Sequence, residues 1–397
     1  MTRRLLLTKL LLQNRVANSQ PNKKAHPKVR FFVIMTLIID SHCDLAWNML
    51  NFGRDYTRSA SETRQIEKDG FVPQRNGDSL VGWSDYQRGQ VVIVFSTLFA
   101  SPIRAKVGDW DKVCYSTCDE AHRLYMDQLR LYHQLADSKP DRFRLLSNAK
   151  DLRAHMAEWQ TLSEGGHPVG LVPLMEGADG ICNLDELAKW HELGLRVIGL
   201  AWAGTRYAGG TREPGPLTEA GRRLLKAMAD FNFTLDLSHM DEQAALEALD
   251  FYTGPVIATH VNCLALLPGF SSNRHFSDHT LCRIIERGGV IGIVPFNTFL
   301  KTGWKRQGGS RREEVPLDVV AAHIDHVCQL AGDAFHAGIG SDFDGGFGLQ
   351  SVPPEIDTIA DLQKLMPLLV ARGYSETDAA NIMGGNWLNF LEKNLPS

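Results

Sequence analysis

No uninterrupted apolar run of 18 or more residues occurs in this sequence, so no segment can cross a bilayer as a helix. It has no CxxC pair, and its seven cysteines, an odd number, do not read as a disulfide framework; a reducing compartment is the simpler inference. A P-loop, a G-x-S-x-G elbow and a complete G-x-G-x-x-G are all missing, which leaves nucleotide cofactors and serine hydrolysis unsupported. Internal repeats and low-complexity linkers are also absent. What remains is an ordinary globular composition, 44% hydrophobic and 22% charged over 397 residues, enough for one large α/β domain or two smaller ones.

Acidic side chains are missing from one end. Met1 to Ile34 carries eight of the 42 Lys and Arg residues and no Asp or Glu, leaving 34 basic against 46 acidic residues, a net of −12, for the remainder. An acidic body argues against nucleic acid as a partner, because phosphate contacts need clustered Lys and Arg on a folded surface. Thr2-Arg3-Arg4-Leu5-Leu6 is similar to the start of a twin-arginine export signal, but Lys9 interrupts the apolar stretch and no small-x-small cleavage site follows. A short amphipathic segment lying on a membrane surface is the other reading of this stretch. Residues 1–34 are expected to be a disordered basic extension, or a stretch upstream of the true start. Residues 35–397, opening on MTLIIDSHCD, are expected to form a single cytoplasmic domain with no stable membrane insertion.

Eight short apolar runs, rich in β-branched residues, read as buried parallel strands: Leu37 to His42, Val91 to Phe99, Val169 to Met175, Arg196 to Ala201, Thr234 to Leu237, Pro255 to Ala258, Val290 to Pro295 and Ala337 to Gly340. Amphipathic stretches such as Thr117 to Ala136, Leu184 to Leu193, Thr218 to Phe231 and Leu317 to Ala331 separate them. The alternation predicts an α/β (β/α)₈ barrel of the TIM type with one long insertion, Leu50 to Gln90, after the first strand. In that fold catalytic groups appear where the strands stop. Run one ends in His42-Cys43-Asp44, run three in Glu176, run five in His239, run six in His260, and run eight in Asp342 with Asp344.

Any one of these residues has a plainer use, an Asp as a helix N-cap or a His as a loop hydrogen-bonder. Five strand ends coinciding point instead to a metal. Imidazole and carboxylate without thiolate suit Zn²⁺ and, less strongly, Mn²⁺, Co²⁺ or Fe²⁺. Cys43 is excluded because alternation along a strand turns it away from His42 and Asp44. Asp342-Phe343-Asp344-Gly345-Gly346 is not a calcium loop, since Pro353 stands where the closing Glu belongs. Five ligands exceed what one catalytic ion needs, so two ions are expected. Glu176 would bridge them, His42 and Asp44 would hold one, and His239 and His260 the other. A hydroxide shared by the pair would attack, with Asp342 as proton shuttle.

The motifs Asp40-Ser41-His42-Cys43-Asp44-Leu45, Met175-Glu176-Gly177, Asp236-Leu237-Ser238-His239, Ala258-Thr259-His260 and Gly338-Ile339-Gly340-Ser341-Asp342-Phe343-Asp344-Gly345 resemble those of the membrane (renal) dipeptidase family of zinc peptidases. The likeness extends to Gly384-Gly385-Asn386-Trp387-Leu388, similar to the family's terminal helix. It implies a barrel with a binuclear zinc site that hydrolyses dipeptides, tolerates varied and even D-configured C-terminal residues, and often forms homodimers. It places the ligands on His42, Asp44, Glu176, His239 and His260, and the catalytic acid on Asp342. It places a grip for the substrate carboxylate on Arg274, whose planar guanidinium suits that task. Asp344 is expected to contact substrate.

One position departs from the family. Where its members carry a His after the fourth strand, thought to support the oxyanion, this sequence has Trp202 in Leu200-Ala201-Trp202-Ala203-Gly204. An indole N–H donates a hydrogen bond but carries no charge, so weaker oxyanion support follows, unless Arg206 or Tyr207 takes the role. The same chemistry on a lactone, a modified amino acid or a biosynthetic intermediate is therefore the second reading, and a catalytically weak metal- and ligand-binding barrel the third. His122, His133, His155, His191, His323 and His326 read as surface or packing residues. Cys114 and Cys118, four apart, read as neighbours on one helix face.

Overall fold

Because Val91-Val92-Ile93-Val94-Phe95 and its counterparts are apolar on both faces, they form strands with no side in water. The structure, a computed structural model, describes residues 36–161, 163 and 165–397; the basic extension at 1–34 lies outside them. The strands are β1 (Ile38–Cys43), β2 (Val91–Phe99), β3 (Val169–Glu176), β4 (Val197–Gly199), β5 (Thr234–Asp236), β6 (Val256–Ile257), β7 (Ile291–Ile293) and β8 (Ala337–Ile339), all entirely buried. Each pairs in parallel with its neighbour in sequence from β1 to β6, and β7 pairs with β8. The circle closes where Asp40 of β1 meets Ile339 of β8, and where Ala258, just past β6, bridges Ile291 of β7. All eight expected strands are present, in a (β/α)₈ barrel.

The intervening helices form where the apolar spacing and a capping residue coincide. Thr117 accepts from the Glu120 backbone while Glu120 reaches back, so the helix Cys118–Ser138 begins with both orphan donors satisfied. The helix Asp318–Ala331 ends where Gly332 adopts a left-handed turn. A ninth strand, Phe143–Leu145, pairs with the first part of β3 and was not anticipated, because three residues with an Arg in the middle carry no legible period. The insertion after β1 folds into the short helices Ala60–Glu67, Val72–Arg75 and Trp83–Gly89.

The cysteine expectations need correction. Cys118 and Cys182 form a disulfide that ties the start of the helix after β2 to the loop after β3. Such bonds persist in oxidising compartments, so thiol usage no longer argues for a reducing one. Cys114 and Cys118 do not share a helix face, because Cys114 sits in the two-residue strand Cys114–Tyr115 and Cys118 opens the helix. No described helix is long and apolar enough to cross a membrane.

Candidate active site

Strand pleating and backbone strain bring the expected residues together at the carboxyl end of the barrel. His42 is the fifth residue of β1, and Asp44 takes the N-cap position of the helix Leu45–Phe52 without making a side-chain cap bond, which leaves its carboxylate available. Glu176 is the last residue of β3. His239 and Asp342 hold left-handed backbone conformations with φ of 66° and 55°, which bulky residues adopt only when the surroundings impose it, commonly at functional sites. At Gly345, a Cβ would overlap both Oδ1 of Asp342 and Oδ2 of Asp44, so glycine is required for the two carboxylates to approach.

Glu176 is the centre of the cluster. Its Oε1 lies 3.0 Å from His239 Nε2 and 3.4 Å from His260 Nε2, while its Oε2 lies 3.6 Å from His42 Nε2. Nε2 of His42 and Oδ2 of Asp44 are 3.9 Å apart. Donor atoms of His42, Glu176 and His260 all lie within 4.8 Å of one another, and so do those of His42, Asp44 and Asp342. Two overlapping donor sets of this kind, all buried, could each hold a metal ion. Among the described residues His42 Nε2 and Asp44 Oδ1 have no hydrogen-bond partner, and the facing Nε2 atoms of His239 and His260 are only 3.0 Å apart. Converging lone pairs with unpartnered ring nitrogens and carboxylate oxygens fit divalent cations.

Electrostatics agree with that fit. Burial and repulsion from Asp44 and Glu176 push the Asp342 carboxyl well above the ordinary range, against the pull of His42 and Arg274. Burial raises Asp44 to about 7, with Glu176 adding to it and His42 opposing. Burial disfavours a charged His42, but the carboxylates of Glu176, Asp44 and Asp342 outweigh it and raise its pKa to about 10. Burial and the Arg274 guanidinium lower His239 to about 4. Three carboxyl groups crowded out of water thus create a strong local demand for positive charge.

A layer of residues that sequence reasoning left unassigned orients the imidazoles. Thr259 Oγ1 donates to Asp236 Oδ2 at 2.6 Å and lies 2.9 Å from His260 Nδ1 and 3.4 Å from His42 Nδ1. Its single proton is spent on Asp236, so it accepts from the Nδ1–H groups and turns the Nε2 lone pairs toward Glu176. Thr211 Oγ1, 3.0 Å from His239 Nδ1, is the partner of the third ring. Asp236 and Thr259 sit inside the motifs around His239 and His260, and a polar side chain on a buried strand end was the signal for them.

The cluster opens into a cleft of about 490 Å³. Asp44, Glu176, His239, Asp342, Arg274 and Trp202 all line it. Arg274 is 2% exposed, donates through Nη2 to the His260 carbonyl at 2.7 Å, and has no partner for Nε and Nη1 among the described residues. Trp202 packs 5.0 Å from Phe99 and 6.1 Å from His239, centroid to centroid, forming a wall. Asp344 is a correction, because it is fully buried and turned to structural work. Its carboxylate pairs with Arg54 at 2.9 Å and accepts from Ser79 Oγ, Tyr56 Oη and the Leu80 amide, so none of its capacity faces substrate. Arg206 and Tyr207 are held by Asp179 and the Ile181 carbonyl, outside the cleft lining. Arg75 and Phe296 also line the cleft, as does the segment from Ser101 to Asp111, which carried no legible motif.

The comparisons with known proteins converge on one family. The family model described as membrane dipeptidase, peptidase family M19, matches residues 28–394. A Klebsiella pneumoniae protein from the pqqA 5′ region is 32% identical over 279 residues, covering 68% of this chain and 95% of that one. Dipeptidase tcpJ of Claviceps purpurea is 26% identical over 342 residues, 82% of this chain and 72% of its own. The solved structure of the dipeptidase AC, a family M19 metallo peptidase, superposes with a TM-score of 0.71 at 25% identity, over 91% of this chain and 100% of its own. With a matched family model spanning nearly the whole described barrel, this chain belongs to the membrane dipeptidase family, peptidase family M19, and is a metal-dependent hydrolase of the peptidase class.

Proposed function

We propose that this chain hydrolyses dipeptides, or closely related small amides with a free carboxylate, using two zinc ions. His42 and Asp44 would hold one ion, His239 and His260 the other, and Glu176 would contribute to both. The observation that carries this reading is the division of the Glu176 carboxylate, one oxygen toward His239 and His260 and the other toward His42. Two bound cations supply Lewis-acid polarisation of the scissile carbonyl and acidification of the attacking water.

The chain's own residues do the rest. Arg274 anchors the substrate's free carboxylate through donors that no group among the described residues occupies, which confers a preference for a free C-terminus. Asp342 takes the proton released by the attacking water and delivers it to the leaving amine. Thr259 and Thr211 keep the imidazoles oriented while charge develops. The aromatic wall of Phe99, Trp47 and Trp202 keeps bulk water from that side of the cleft.

Trp202 in place of the family's His favours a second reading, the same chemistry on a lactone or a biosynthetic intermediate. One experiment separates the two. Protein supplied with two equivalents of zinc is given a mixed dipeptide panel and a lactone panel, and product release is followed with and without a chelator. Amino-acid release that stops on chelation is expected; protein that binds two equivalents yet cleaves no dipeptide refutes the first reading.

A further inference from the structure

Two acidic side chains of the cleft, Asp111 and Glu213, have no role in the chemistry above, and Glu213 is already paired with Arg104. Asp111 lines the cleft at 3% exposure, in the segment that follows β2. Among the described residues its Oδ2 receives a long hydrogen bond, 3.5 Å, from Ser101 Oγ, the weakly donating Cys114 thiol lies against the carboxylate, and Oδ1 has no partner. No cationic side chain of the described residues pairs with it. Carboxylates withdrawn from water are ordinarily matched by a countercharge or several donors, and this one has neither.

Its place in the barrel says which part of a substrate would meet it. In a closed ring of eight strands, β2 and β6 stand on opposite sides. Arg274 follows β6 and Asp111 follows β2, with the His42, Glu176, His239 and His260 cluster between them. A substrate whose carboxylate rests on Arg274 and whose scissile bond lies over that cluster therefore extends its amino-side residue toward Asp111. Phe99 is level with Glu176 in the strand register. Ser101, the contact of Asp111, is two extended residues further out, roughly 7 Å. An α-ammonium group is one carbon from the scissile carbonyl and cannot cover that distance, whereas a long side chain can. Trp47 stands along the way, 6.3 Å from Phe99 and 6.2 Å from Trp110, offering apolar surface to a methylene stem and ring faces to a cation.

The geometry points to Asp111 as the residue that selects substrates with a cationic side chain, lysine or arginine, on the amino side of the scissile bond. This rests on the dipeptidase reading and adds a specificity to it. The test compares kcat/KM for Lys-Ala, Arg-Ala, Met-Ala and Glu-Ala in the zinc-loaded protein and in its Asp111→Asn and Asp111→Lys variants. Wild-type protein is expected to favour Lys-Ala and Arg-Ala over Met-Ala by about tenfold or more, the size of a lost charge-assisted contact. Asp111→Asn is expected to bring the Lys-Ala to Met-Ala ratio close to one, and Asp111→Lys to shift preference to Glu-Ala. Wild-type protein that cleaves Met-Ala and Lys-Ala equally well overturns the inference and leaves the dipeptidase reading intact. So does a ratio that survives Asp111→Asn, including the case in which both substrates decline together. Absence of any dipeptide cleavage overturns both.

Discussion

The hydroxyl of Thr259 donates to Oδ2 of Asp236 at 2.6 Å, and this one bond fixes the tautomers of two rings that face Glu176. With its proton committed, Thr259 accepts from His260 and His42 at Nδ1. Loss of such outer partners typically weakens metal affinity by about 10- to 100-fold. Thr259→Val is expected to lower zinc affinity by about that factor, read by competition with a chelator of known strength. Thr259→Ser, which keeps the hydroxyl, is expected to retain most of it. Equal affinity in wild type and Thr259→Val contradicts this orientation of the rings.

Glu176 and Asp342 both line the cleft, yet their variants are expected to separate. In Glu176→Gln one of two carboxylate oxygens that between them face three imidazole nitrogens becomes an amide donor, so bound zinc is expected to fall below two equivalents and turnover by more than about 100-fold. Asp342→Asn removes a proton carrier, and is expected to lower kcat by about 10²- to 10⁴-fold with a smaller change in KM. Metal analysis beside steady-state kinetics distinguishes the two patterns.

The barrel was legible because buried parallel strands write themselves as short apolar runs, and all eight emerge within a few residues of their observed ends. The metal cluster was legible for a related reason. A buried strand that ends at or beside a His or Glu, as β3 does at Glu176 and β1 one residue past His42, marks the one end of the barrel where polar groups face a cleft. Asp344 misled because a carboxylate beside Asp342 looks like another cleft group in one dimension. Only the fold shows that a left-handed turn at each of Asp342 and Asp344 sends the second to Arg54. Asp111 and the bond between Cys118 and Cys182 were invisible for want of any period, since both depend on which loops the closed ring brings side by side.

The corrected role of Asp344 is testable on stability. Arg54 and Asp344 form an ion pair with no solvent exposure, and Arg54 also reaches Glu67 and the Gly77 carbonyl, so the pair ties the insertion to the loop after β8. Removing one partner of a buried pair leaves an uncompensated charge and costs about 3–5 kcal/mol. Asp344→Asn is expected to lower the unfolding free energy by the low end of that range, because Glu67 still pairs with Arg54. Arg54→Met with Asp344→Leu is expected to recover part of the loss. Denaturant midpoints check both.

Buried histidines that do not line the cleft set the acid limit of the fold. His155 is wholly buried, with Nε2 2.9 Å from the Val92 carbonyl and Nδ1 unpartnered, and burial lowers its pKa to about 4. His323 accepts at Nδ1 from the Cys263 amide at 3.1 Å, and burial lowers it likewise to about 4. Both fold as neutral rings, while the unfolded chain takes up their protons below an ordinary pKa of about 6.5. The unfolded state therefore binds more protons between pH 6.5 and 4, and stability falls as pH drops through that window, having been fully present above it. Each ring accounts for up to about 3 kcal/mol over that range. In His155→Gln the side-chain amide can still donate to the Val92 carbonyl but no longer titrates. Unfolding free energies measured from pH 7.5 to 4.5 are expected to fall less steeply in this variant, by close to one proton's worth of slope. Identical slopes in variant and wild type would mean that His155 is already protonated in the folded protein.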